Sequence, residues 1–505
     1  MRKFSAASPA PDAAFPARLV TRREIFLAIL FLLVCESACT TPLTPGYQIL
    51  KESREVQFVQ GSTPELRVKA NFTLQNSGNS ELPFIEARFP AAKEFGRKNL
   101  RVTVDGHDAA ISDLPLEYQQ NSPNTLRIGF EPSWTQKQKR QLVIEYALSS
   151  PEDSGSRITL GERSFHLGSR GWFPLLQPPR HVMSPFPKRP DKTIVSIRVP
   201  DDFLVLSRGT PKGRKRNGGE PEFRFLLRKG DLPPFIVAGR YSESSPGGKQ
   251  AATIFWTLQP LAENSAQAAE RIAAAWNVLQ TAFGPLDKNI QFPHVVESPG
   301  LRSHAAGEEG AAAAAFPGGA LVNPAALALG INSDAFLETV AHALAHNWFG
   351  DQMYPTPDSA LGLGEGLADY ATIVVDEARN GAAARRQRIQ QFLREYDAAR
   401  KQAAEKPLGV TMMTDAPEVR RIALAKAPLF FIALEDACGE ATVRAGLNRL
   451  VTLLRGQEVG YDDVRAALEE TTGNNLAGPF RVWLYSKGIP DDFLARYEPA
   501  GEAHP

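Results

Sequence analysis

His342-Ala-Leu-Ala-His346-Asn-Trp-Phe-Gly-Asp351, followed by Gly364-Glu365-Gly366-Leu367-Ala368-Asp369-Tyr370, is the stretch on which the reading of this chain turns. Residues four apart share one face of a helix, so the imidazoles of His342 and His346 can converge on one ion. Leu337, Ala341, Leu344, Ala345 and Trp348 form the apolar stripe of the same helix, which the periodicity places over Asp334 to Phe349. A second helix, Gly366 to Arg379, begins beside Glu365 and can bring its carboxylate to the pair. Two histidines and one carboxylate with an open fourth position are the composition of a catalytic zinc site and not of a closed structural one. With 8 histidines in 505 residues, an i,i+4 pair arises by chance about 0.13 times, and a glutamate at one fixed later position lowers that further. The plainer alternative is two histidines satisfied by hydrogen bonds in a helical core.

Around this stretch the chain reads as helical from residue 251 onward. A short strand at Thr253 to Leu258 precedes a helix from Ser265 to Phe283, stopped by Gly284-Pro285. Further helices are expected at Ala383 to Lys401, Glu418 to Cys438, Ala441 to Leu454 and Asp462 to Thr471. The Gly310–Ala315 run either seeds a helix or is a small-residue surface segment. Upstream, alternating stretches such as Leu66 to Gln75, Gln141 to Leu148, Thr193 to Val199 and Glu222 to Leu227 read as strands. Asp105-Gly106 signals a hairpin, and the basic run Lys212 to Gly219 reads as a solvated loop between strands. The expected fold class is α+β, an N-terminal antiparallel β-sandwich or saddle domain over residues 45–243, a linker at 244–250 and a mainly helical domain over 251–495, with a tail at 496–505.

The first 39 residues read as an address. Ile25 to Cys35 is an apolar run of eleven residues behind Arg18, Arg22 and Arg23, too short to span a bilayer comfortably. Thr21-Arg22-Arg23-Glu24-Ile25-Phe26-Leu27 resembles a twin-arginine export signal, with ordinary secretion the other route. Glu36-Ser37-Ala38-Cys39 resembles a lipoprotein cleavage site, with Cys39 as the residue that would carry lipid and Glu36 where an aliphatic residue is expected. Residues 1–39 hold five basic and three acidic side chains, so their removal takes the net charge from +1 to −1. That balance excludes the basic excess of a nucleic-acid binder, and 43% hydrophobic residues exclude a disordered chain. Of three cysteines, Cys35 and Cys39 lie in the address and Cys438 stands alone, so no internal disulfide network is expected.

His342 to Asp351 and Gly364 to Tyr370 together resemble the gluzincin metallopeptidases of the membrane alanyl aminopeptidase family, whose motif is HExxH, eighteen residues, then a glutamate. Trp172-Phe173-Pro174 and Asp231 to Gly239 resemble the end of that family's β-domain, and Phe480 to Pro490 the end of its catalytic domain. The resemblance implies a thermolysin-like metallopeptidase domain holding one zinc ion on His342, His346 and Glu365. Asp369, four residues after Glu365 on the same helix, is either placed to accept a hydrogen bond from a ligand histidine or a simple exposed helix acid.

Three departures from the family pattern stand at the chemistry. Ala343 occupies the place of the glutamate that takes a proton from the attacking water and delivers it to the leaving amine. The segment whose glutamate grips a free amino terminus has Ala314-Ala315-Phe316-Pro317-Gly318 in its register, or Gly307-Glu308-Glu309-Gly310 at a shifted one. Leu424, two residues before Lys426-Ala427, stands where the family has a tyrosine. The sequence therefore reads as an exported zinc-binding protein with peptidase catalysis lost or strongly reduced and a peptide or protein ligand. The alternative is an active zinc metallopeptidase using Glu308, Glu309 or Glu338 as substitute base.

Overall fold

A computed structural model describes residues 46–61, 63–88, 99–114, 125–149, 158–169, 172–177, 190–217, 219–246, 253–261, 264–286, 293–301 and 312–497. The export and lipidation expectations, with Arg22, Arg23 and Cys39, lie outside them, as do Glu308 and Glu309.

The amino-terminal part is built from three sheets. One has eight strands, in the order Thr210–Asn217, Glu220–Arg228, Lys192–Arg198, Tyr47–Val59, Glu65–Asn76, Lys139–Ser149, Arg101–Val104 and His107–Asp108. Glu65–Asn76 shows why these residues form strands: buried and less buried positions alternate along it, and Leu66, Val68, Ala70, Phe72 and Leu74 all point to one face. Two four-stranded sheets cover that face. Ser164–Leu167 and Ile236–Gly239 close one core around Phe58, Val68 and Phe165, and Leu82–Arg88 and Thr125–Trp134 close the other around Tyr47, Phe72 and Trp134. This is the layered β architecture expected, with one difference: Tyr47–Val59 pairs with Lys192–Arg198 in parallel. The Asp105-Gly106 turn has positive φ at both residues, 51° and 86°, as a two-residue hairpin with the twist of its strands requires.

The basic run is not a loop. Thr210–Asn217 is the outermost strand of the large sheet, paired with Glu220–Arg228, and Lys212, Arg214, Lys215 and Arg216 are exposed along it. Arg214 and Arg216 each donate to Asp201 Oδ1 at 2.9 Å. Charge on an edge strand discourages pairing with another chain, so the run that resembles a solvated loop in composition is a protected edge.

Beyond it, Ser242–Ser244, Ile254–Thr257, His294–Glu297, Gly319–Val322 and Ala313–Phe316 form a mixed five-stranded sheet in that spatial order. The linker expected at 244–250 thus begins inside a strand, and residues 247–250 lie outside the described set. The alanine run corrects both expectations made for it: Ala313–Phe316 is the edge strand of this sheet, turning at Pro317-Gly318 into Gly319–Val322. Alternation explains it, since Ala314 and Phe316 are buried against Phe235 and Val237 of the β-domain while Ala313 and Ala315 face the other way.

Helices complete this half: Ala266–Phe283, Asp334–Ala345, Gly366–Asn380, Ala382–Arg400, Pro417–Cys438, Glu440–Leu453, Tyr461–Thr472, Ala477–Tyr485 and Asp491–Tyr497. Their core holds Trp276 and Trp348 with ring centroids 5.3 Å apart. None of the described helices is long and apolar enough to cross a membrane.

Candidate metal centre

The helix Asp334–Ala345 is fixed at its start by Ser333, whose hydroxyl accepts the backbone N–H of Phe336 at 3.0 Å, with Asp334 in the first turn. Phe336, Leu337, Val340, Ala341, Leu344 and Ala345 bury one side of it. The helix was expected to run to Phe349 and stops earlier. Residues Asn347–Gln352 form a wider turn, with Phe349 at φ −101°, ψ 47° and so outside helical geometry. The cause is side-chain competition for the backbone. Asn347, 1% exposed, accepts the Gly318 N–H at 2.7 Å and donates to Leu344 O at 2.9 Å. It thereby ties the hairpin of the five-stranded sheet to the end of the helix.

Glu365 arrives from the opposite side, at the junction between a wide turn, Ala360–Glu365, and the helix Gly366–Asn380. Gly366 is needed there because of a close approach: a Cβ on it would stand 2.5 Å from the Cβ of Ala427 in Pro417–Cys438.

Three donor atoms converge. His342 Nε2 and His346 Nε2 are 3.2 Å apart, and Glu365 Oε2 lies 3.3 Å from the first and 3.5 Å from the second. Ligands about 2.0–2.1 Å from one zinc ion at tetrahedral angles are separated by roughly 3.3–3.4 Å, so the donor set fits that ion. All three side chains keep 18–26% exposure, which leaves a side open to a ligand. On the far nitrogen of His342, Nδ1 lies 2.7 Å from Asp369 Oδ1. Burial alone disfavours a proton on His342, but the Asp369 and Glu365 carboxylates outweigh it and raise its pKa to about 10 in the metal-free chain. Burial pushes the Glu365 carboxyl up, and the two imidazoles reverse this and hold it well below its ordinary value.

The structure thus brings together His342, His346, Glu365 and Asp369 as the spacing suggested. Neither Ala343 nor Leu424 offers an acid or a base. Ala343 is completely buried, its methyl group packed within the helical core. Leu424, on Pro417–Cys438, is half-buried and packs against that same core. Glu338 forms an ion pair with Arg388, whose guanidinium is also 3.6 Å from Asp376. Of the two segments offered for the amine grip, Ala314 and Ala315 lie on the edge strand Ala313–Phe316 and carry no carboxylate, and Gly307-Glu308-Glu309-Gly310 lies outside the described residues.

Sequence reasoning did not find Asp351. It is 6% exposed and takes Arg208 Nη2 at 2.6 Å and Ser169 Oγ at 2.8 Å, both from the β-domain. A partner 143 positions away leaves no local pattern.

Residues 305–483 match the peptidase family M1 domain. No curated protein matches the sequence. Among solved structures, the M1 zinc metallopeptidase of Deinococcus radiodurans shares 16% identity and superposes with a TM-score of 0.59 over 91% of this chain and 98% of its own. A mutant of the Deinococcus radiodurans M1 zinc metallopeptidase bound to a Tyr-Ser-Ala substrate gives 17%, 0.60, 88% and 96%. At these identities the likeness speaks for the fold, an amino-terminal β-domain followed by a helical domain in α+β arrangement. The family match is thus to residues 305–483, while the fold likeness extends over most of the chain.

Proposed function

We propose that this chain is an exported zinc protein of the M1 peptidase fold that has lost most or all peptidase catalysis and uses its metal centre to bind a peptide or protein ligand. One observation carries the reading: a complete three-donor set, backed by Asp369, stands beside a fully buried methyl group at position 343. His342, His346 and Glu365 would hold one zinc ion, which supplies Lewis acidity toward a ligand carbonyl or carboxylate. Asp369 holds the His342 ring with Nε2 turned toward His346 and Glu365, where the ion would sit. Nothing at Ala343 accepts or returns a proton, and nothing at Leu424 donates to a developing oxyanion. Loss of a general base costs about 10²–10⁴ in rate and loss of an oxyanion donor about 10²–10³, so efficient turnover is not expected. The alternative of a substitute base gains nothing from Glu338, whose carboxylate is engaged by Arg388.

Restoration tests this. Ala343→Glu is expected to retain zinc and to recover weak hydrolysis at most; adding Leu424→Tyr is expected to raise it more than additively, because both groups act on one transition state. Equal rates in wild type and both variants, with zinc bound, would remove the assigned roles. Export, with Cys39 as a lipid anchor, is proposed from the order of basic, apolar and small residues at the amino terminus. Fractionation of cells expressing the full chain checks it, and an uncleaved cytoplasmic product would contradict it.

A further inference from the structure

Between the metal helix and the carboxylate turn, the chain makes a detour that ends in the other domain. His346 is the last residue associated with the helix Asp334–Ala345, and five residues later the Asp351 carboxylate is buried in a cradle supplied by the β-domain. Arg208 follows the strand Leu204–Ser207 and Ser169 follows Ser164–Leu167; these strands belong to the same small sheet. The detour is closed at its near end by the Asp351 N–H, which donates to His346 O at 3.0 Å. Inside it, the carbonyl of Phe349 stands 3.5 Å from His346 Nδ1, the outer limit of a hydrogen bond. Nδ1 is the nitrogen that faces away from Glu365, so whatever fixes the Phe349 carbonyl sets the ring whose Nε2 is a donor.

We propose that Arg208 is a positioning residue of the metal centre: acting through Asp351, it pins the His346–Asp351 turn and with it the carbonyl that orients the His346 imidazole. The proposal rests on the zinc reading above. Three observations support it. First, the pair is nine-tenths buried, Arg208 at 7% and Asp351 at 6%, and a buried ion pair is costly to desolvate and weak as a source of stability. Geometric definition is then the better account of what it provides. Second, both carboxylate oxygens are occupied, Oδ1 by Ser169 and Oδ2 by Arg208, which fixes the plane of the group and not only its charge. Third, the turn it anchors has non-helical dihedrals at Phe349, so no regular hydrogen-bond ladder holds that carbonyl in place. His342 is oriented locally, by an acid on the neighbouring helix. Among the described residues no acid stands at Nδ1 of His346, whose one neighbour there is the Phe349 carbonyl that the β-domain contact would hold.

The Arg208 bond is made by Nη2, so a lysine ammonium can replace it and a methionine cannot. The experiment measures zinc affinity by competition with a chelator of known strength, together with thermal unfolding of the metal-free form, in the full mature chain. Arg208→Met leaves Asp351 unpaired and is expected to weaken zinc about tenfold or more. The double variant Arg208→Met with Asp351→Leu removes both charges and keeps the metal-free midpoint near wild type, yet is expected to bind zinc as weakly as the single variant. Arg208→Lys is expected to restore affinity to within about threefold of wild type. A double variant with wild-type zinc affinity overturns the proposal and leaves the pair a structural contact. If wild type itself takes up no zinc, the zinc reading fails, and positioning is read from the metal-free protein. There the nitrogen chemical shifts of the His346 ring, which report its tautomer, are expected to change in Arg208→Met and not in Arg208→Lys. Unchanged shifts in both overturn the positioning role.

Discussion

Asp369 Oδ1 lies 2.7 Å from Nδ1 of His342, on the opposite side of the ring from the Glu365 carboxylate. A carboxylate in that place fixes the tautomer that leaves Nε2 free and makes it a stronger donor. Asp369→Ala is accordingly expected to weaken zinc binding by about 10- to 100-fold, with Asp369→Asn, which still accepts one hydrogen bond, falling between it and wild type. Chelator competition reads the order of the three. Equal affinities would mean that the contact is incidental.

Gly366 joins the metal centre to the helix Pro417–Cys438, because any Cβ there meets Ala427 at 2.5 Å. Gly366→Ala must push that helix away or shift Glu365, and overpacking of this kind costs about 1–3 kcal/mol. The loss is expected in both thermal stability and zinc affinity. Ala427→Gly removes the opposing methyl group, so the double variant is expected to recover most of both. A double variant as weak as the single would show that the strain lies elsewhere.

How much of this was legible in the sequence depends on the range of each interaction. His342 and His346 are bound by helix geometry, and Glu365 with Asp369 by the start of the next helix, so short spacings carried them. The layered β-domain followed from alternation, as in Glu65–Asn76. Thr210–Asn217 escaped because edge strands and loops share exposure and charge, and the alanine run escaped because alanine has no strand signature of its own. The helix end at Ala345 was set by Asn347 reaching to Gly318, and the Asp351 cradle by residues of another domain. Tertiary contacts of that kind override local periodicity and leave no mark on it.

His166 offers a pH test of the domain junction. It is buried at 2% exposure on the strand Ser164–Leu167, directly opposite Val237 and Thr159, and neither ring nitrogen has a hydrogen-bond partner among the described residues. Burial lowers its pKa from the ordinary 6.5 to about 3. Below about pH 6.5 the unfolded chain takes up a proton that the folded chain refuses, so folding stability falls as pH drops toward 3. At about pH 4 the loss amounts to roughly 3 kcal/mol. His166→Leu is expected to flatten the thermal midpoint between pH 4 and pH 7, to within the ~1 kcal/mol typical of volume-conserving swaps at neutral pH. An unchanged acid slope in that variant would place the sensitivity in other groups.

The central claim is a metal site retained without the groups that make it a peptidase. Its most direct test is the rate at which the purified, zinc-loaded mature chain hydrolyses a broad set of amino-terminal and internal peptide substrates, measured beside His346→Ala. The account predicts one zinc per chain and turnover that is absent or only slightly above that of His346→Ala. Robust turnover by the zinc-loaded chain, abolished in His346→Ala, would contradict it and require a proton acceptor other than Ala343.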